Sequence, residues 1–253
     1  MSIRTLLTDY HQILSNFNNQ YCEDNGSLLF EDLFPLKQGI ELLSNKENLW
    51  EYGISPLKIL VPYVPSHTIP TAENISVILQ TDTIIQPVNA SITDPVRSLN
   101  FDIQLIGSST VSKSMMSLHL DKHSQITNPT DGEGDYLHPE YHFTFGGRKM
   151  EDAHHQNYWD FGQTLIMRSP RLMHPPMEII LGIDFILNQF IPREYISDLL
   201  GKPEYQNIVK EIKKVIWRPY ALAFAKNFCH NWIEDTQHFT FDDTFCKSII
   251  GEH

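Results

Sequence analysis

Strict two-residue alternation in the middle of the chain sets its fold class. Ile75, Val77, Leu79 and Thr81 fall on one side of an extended segment, and Ser76, Ile78, Gln80 and Asp82 on the other. Leu99 to Ile106 repeats the pattern, and so does Ser114 to Asp121. A period of two marks a half-buried strand. The links between these segments look shorter than a crossover helix needs, so neighbouring strands run antiparallel. Leu57 to Val61, bracketed by Pro56 and Pro62, predicts a short strand ahead of them. His138 to Phe145 predicts a further strand, and Trp159 to Met167 a last one.

Helical periodicity flanks this region on both sides. Ile3, Leu6, Leu7, Tyr10, Ile13, Leu14, Phe17 and Tyr21 recur at steps of three and four and predict a helix over 3–21. Glu23-Asp24-Asn25-Gly26 reads as the turn that follows. A second helix is expected from about Pro35 to Leu49. Helices are expected again over about 175–190, 192–200 and 204–231, the last kinked or split at Pro219, which has no N–H to donate. Met177 to Phe190 is apolar on most sides and reads as a central core helix. The expected fold is α+β, one domain over 1–253: N-terminal helices (1–50), a central antiparallel sheet (57–168) and a C-terminal helical layer (175–231). With 41% apolar residues the chain can fill such a core.

Charge narrows the partners. Thirty-one acidic against 19 basic residues give a net charge of -12. Nonspecific binding to nucleic acid relies on a basic excess that replaces counterions, so global charge does not support a nucleic-acid partner. An acidic surface suits a basic partner instead. Cys22, Cys229 and Cys246 form no CxxC pair, and three free thiols fit a reducing compartment. Residues 1–12 show no basic segment followed by an apolar one. The apolar run Ile179 to Phe190 is too short to span a bilayer and is interrupted by Gly182, Asp184, Asn188 and Gln189. A cytoplasmic protein without a membrane partner is expected.

Histidine is the unusual residue. Seven of the 12 lie between His119 and His174. In Leu118-His119-Leu120-Asp121-Lys122-His123, the residues His119, Asp121 and His123 share a strand face. In the segment from His138 to Phe145, so do His138, Glu140, His142 and Thr144. If these two strands pair, one sheet face gathers imidazoles and carboxylates. His119, Asp121, His138 and His142 are the candidate catalytic set, suited to acid–base work near neutral pH. Such nitrogen and oxygen donors also suit zinc, nickel or iron, so metal and cofactor stay open. An amphipathic sheet presents a polar face in any case, and the spacings match neither HExxH nor a zinc finger.

Three arginines are candidate anion ligands. Arg148 follows Gly146-Gly147, where backbone can approach a ligand closely. Arg168 and Arg171 precede the core helix together with His174, although Pro175 and Pro176 deprive that helix start of two donors. Asp184, in the apolar helix, needs a partner if buried, and Arg168 or a histidine would serve. No GxSxG, GxGxxG or GxxxxGK[ST] sequence occurs. Asp102, Asp121, Glu140 and Asp160 lack the companion lysine of a restriction-type nuclease.

His138-Pro139-x-x-His142-x-Thr144-x-Gly146 and Gly182-Ile183-Asp184-Phe185-Ile186-Leu187-x-x-Phe190, joined by a segment with an arginine before prolines, carry a resemblance. The region resembles an uncharacterised bacterial family known as a domain of unknown function. The resemblance covers about a fifth of the chain and implies a bacterial cytoplasmic protein, with no reaction attached. The expected function is an accessory or interaction component of a bacterial multi-protein system, of the kind found in antiviral defence, with a protein partner. The alternative is a hydrolase for a phosphorylated or nucleotide-like substrate, built on the histidine-rich face beside Arg148, Arg168 and Arg171.

Overall fold

The computed structural model describes residues 2–46, 49–65, 71–86, 94–110, 113–122, 141–146 and 174–226. Two helices, α1 (Ile3–Asn25) and α2 (Phe34–Leu42), come first. A six-stranded sheet follows: β1 (Ser44–Lys46), β2 (Leu49–Val61), β3 (Asn74–Ile85), β4 (Val96–Ser108), β5 (Lys113–Lys122) and β6 (Tyr141–Phe145). Three helices close the order: α3 (Ile179–Phe190), α4 (Arg193–Leu200) and α5 (Pro203–Lys226). The strands pair strictly with their sequence neighbours, all antiparallel. The α+β class and the expected order of helices, antiparallel sheet and helices hold.

Alternation explains which face the helices cover. Val77, Leu79, Thr81, Thr83 and Ile85 of β3 are buried, as are Leu99, Phe101 and Ile103 of β4 and Leu118 and Leu120 of β5. These residues form the inner face and join the helices in one apolar core. Helix α3 is the most deeply set, with seven of its 12 residues buried. A Cβ at Gly182 would lie 2.5 Å from the Phe101 ring, so glycine lets α3 rest directly on the sheet. Asn18 of α1 pins the segment before α2: its side chain accepts from the N–H groups of Leu29 and Phe30 and donates to the Phe30 carbonyl.

Several boundaries differ from expectation. Helix α1 continues through Glu23-Asp24-Asn25 and ends at Gly26, whose left-handed φ of 71° lets its N–H reach the Cys22 carbonyl. Helix α2 stops at Leu42, and β1 and the start of β2 replace its expected last turns. Strand β2 runs through Pro56 because the pairing shifts between Ile54 and Leu57, a bulge where proline need not donate. Helix α3 begins at Ile179, with Pro175 and Pro176 upstream of it, and Glu178 is its N-cap. Helix α5 is not split at Pro219. The strand expected at Trp159 to Met167 lies outside the described residues. No described helix is long and apolar enough to cross a membrane.

Candidate functional site

The outer face of the sheet carries the polar residues that alternation sets opposite the core. Register aligns Gly53, Asp82, Asn100, Asp121 and position 142 in one row across β2 to β6. Gln80, Asp102, His119 and Thr144 form the adjacent row. In an antiparallel sheet, directly opposed residues share a face and sit within side-chain reach. With Glu51, each of the strands β2, β3, β4 and β5 thus contributes a carboxylate: Glu51, Asp82, Asp102 and Asp121.

His119 sits between two of these carboxylates. Its Nδ1 bonds Asp102 Oδ1 at 2.5 Å, and its Nε2 bonds Asp121 Oδ2. The three side chains are 19%, 10% and 15% exposed. Burial pulls the imidazole down, but the two hydrogen bonds and the two negative charges outweigh it and push it up to about 9. Near neutral pH both ring nitrogens carry protons and donate. An imidazolium in that state has no lone pair for a metal and cannot act as a general base. His119 and Asp121 do come together as expected, but in a bridge of one cation between two carboxylates.

The other expected site residues divide. Pairing places position 142 opposite Asp121. His138, Arg148, Arg168 and Arg171 lie outside the described residues, as do Glu140, His154 and His155. Gly146 is in a left-handed conformation, φ 66°, and its N–H donates to the Ser117 carbonyl at 2.7 Å. His174 bonds the Pro175 carbonyl at 2.7 Å and stacks on Phe143. Burial lowers its basicity, against the opposing effect of that bond. Among the described residues, no group of three or more His, Cys, Asp and Glu side chains is placed to hold a metal ion.

The start of α3 is not open to an anion. Glu178, fully buried, turns its own carboxylate onto it and accepts from the Leu181 N–H at 2.7 Å. Tyr52 donates to the same carboxylate at 3.4 Å. Burial pushes Glu178 up to about 7, against the lowering effect of the helix amides and Tyr52. Tyr205 donates to Asp184 Oδ1 at 2.8 Å, and Asn188 at 3.2 Å, while Arg168, the partner expected for Asp184, lies outside the described residues. Tyr10 extends that chain, its hydroxyl 3.3 Å from that of Tyr205.

Beside the His119 bridge the outer face opens into a groove of about 750 Å³. Helix α2 forms one wall with Gln38 and Leu42, and β1 adds Ser44 and Lys46. Its floor is the sheet around Gly53, Asp82 and Asn100. Two glycines shape it. A Cβ at Gly39 would lie 2.3 Å from the Gly53 carbonyl oxygen, and a Cβ at Gly53 would lie 2.4 Å from Asp82 Oδ1. The helix therefore sits against the strand, and the Asp82 carboxylate lies over the bare backbone of Gly53. Sequence reasoning weighed Asp102 only as a nuclease carboxylate, not as a partner of His119, and did not reach this groove. The outward parity of Asn100, Asp102 and Gln104 was the available signal for Asp102, but only the β4–β5 register pairs it with His119.

Compared with family models, with curated proteins and with solved structures, the chain matches none of them.

Proposed function

We propose that this chain is a non-catalytic interaction component of a multi-protein assembly and that it engages a protein partner through the outer face of its sheet. The observation that carries this reading is the Asp102–His119–Asp121 bridge. It holds His119 between two carboxylates as a hydrogen-bonded cation, which favours a fixed polar surface over a reactive base. The neighbouring groove, at about 750 Å³, falls in the size range of recognition pockets. A bacterial setting, with antiviral defence as the system, rests on the resemblance carried by residues 138–190.

The alternative hydrolase needs a base and an anion clamp. His119 supplies no base at neutral pH, because it stays protonated up to about 9. The proposed clamp of Arg148, Arg168 and Arg171 rests on sequence alone.

Isolation of the tagged chain from its native host tests the proposal. The expected result is a stoichiometric assembly that the folded double variant Gln80→Arg with Asn100→Arg no longer forms. Recovery of the wild-type chain alone, or an undiminished assembly with the double variant, would remove the outer face from the account.

A further inference from the structure

The groove between α2 and the sheet has features that specify what enters it. Its carboxylates, Glu51 and Asp82, are both exposed, and among the described residues neither side chain has a hydrogen bond or an ion pair. This sets them apart from Asp102 and Asp121, which both bond His119. Lys46 is the single cationic side chain of the lining among the described residues. The lining is thus net negative by one, in a chain that is itself at -12.

Shape adds to charge. The missing side chain at Gly53 makes room for Asp82 Oδ1 over the strand backbone, and the register sets Asn100 directly opposite Asp82. Leu42 of α2, 74% exposed, offers an apolar wall above that floor, and Ile84 adds apolar surface on the sheet. A carboxylate and an amide at the bottom of a slot with aliphatic walls match a long side chain with an apolar stem and a cationic, multiply donating head. A guanidinium fits this better than an ammonium, since its planar fork can meet Asp82 and still donate to the amide oxygen.

We propose that this groove receives an arginine side chain presented by an extended segment of the partner protein. The inference rests on the interaction reading above and names the chemistry of its partner. Glu51 supplies the second charge at the rim, and Asp82 the pairing at the floor.

The probe is a fluorescent pentapeptide, Gly-Arg-Gly-Arg-Gly, with lysine and citrulline counterparts, and with free arginine amide and spermidine as competitors. Anisotropy on the full chain is expected to show binding in the order arginine, lysine, citrulline, weakening with added salt. Asp82→Asn and Glu51→Gln are each expected to weaken the arginine peptide by roughly fivefold, the scale of one exposed ion pair. Both are surface changes, and circular dichroism checks that they fold. Equal binding of the arginine and citrulline peptides, or no effect of either substitution, overturns the inference. Competition by spermidine as tight as the peptide overturns the protein source in favour of a free polyamine. If Gln80→Arg with Asn100→Arg dissolves the native assembly while Asp82→Asn and Glu51→Gln leave it intact, the interaction reading stands and the arginine slot falls.

Discussion

The Phe101 ring occupies the space that a side chain at Gly182 would need: a Cβ there would lie 2.5 Å from one ring carbon and 2.8 Å from another. Neither side can give way easily, because Phe101 is 1% exposed and α3 is buried around it. Gly182→Ala gains a little in helix propensity but must push the helix off the sheet. Overpacking of this kind costs about 1–3 kcal/mol. A lowered urea midpoint with an unchanged m-value checks it, and a variant as stable as the parent would show that the helix can slide.

His119 makes stability fall in alkali. Its folded-state value of about 9 stands above the ordinary 6.5. The bridge therefore contributes fully below about pH 6.5 and is lost as pH rises through about 9. The contribution is on the order of 3 kcal/mol, from the size of the shift. His119→Gln should abolish that decline between pH 7 and 10, measured by denaturant titration. A slope that survives in the variant would assign it to other groups.

Glu178 acts in a lower window with the same sign. Its value of about 7 stands above the ordinary 4.5, so the native state holds a proton that the unfolded chain has released. The associated stability is present below about pH 4.5 and is lost as pH rises through about 7. Glu178→Gln keeps an acceptor for the Leu181 N–H and removes the titration. The variant is expected to show no slope between pH 5 and 7 and to match or exceed the parent at pH 8. Lower stability at pH 8 would mean that the carboxylate is the better cap even when charged.

The contact between Tyr205 and Asp184 ties α5 to α3. Tyr205→Phe removes the 2.8 Å donor and leaves the ring in place. Loss of a hydrogen bond to a charged group costs about 1.5–3 kcal/mol. A double-mutant cycle with Asp184→Asn measures the coupling, and additive effects would mean that the two side chains do not cooperate.

Asn18 holds two buried backbone amides at once. With Asn18→Ala the N–H groups of Leu29 and Phe30 lose their acceptor. Each unsatisfied amide costs about 1–3 kcal/mol, so a loss of about 2–6 kcal/mol is expected. Hydrogen exchange should localise it at residues 28–31. Uniform exchange across the chain would point to global loosening instead.

Alternation made β3, β4 and β5 legible because their two faces differ so sharply: Val77 and Leu79 against Gln80 and Asp82. It failed in β2, where Ser55-Pro56 interrupts the period and a bulge absorbs the interruption. Trp50, Tyr52 and Ile54 alternate ahead of it and went unread. Pro175 and Pro176 resembled a first helical turn, which hid Glu178 as the cap. The pairing of His119 with Asp121 was readable from one strand, whereas Asp102 required the register between two, and register depends on where a hairpin turns. Gly182 read as part of an apolar motif, yet its reason is a close approach to a residue 81 positions earlier in the chain.

The nearest-neighbour pairing of the strands has a kinetic consequence. Sequence neighbours pair throughout, across links of at most 18 residues, so the sheet can zip up from encounters between near segments of chain. Tyr10 and Tyr205 meet across 195 positions, in a contact buried between α1 and α5. That clasp pays the full entropy of joining the two ends of the described chain, and little rewards it until the intervening sheet exists. The helical layer is the part that locks last, and a nascent chain cut short before α5 would hold its hairpins while its first helix waited for a mate.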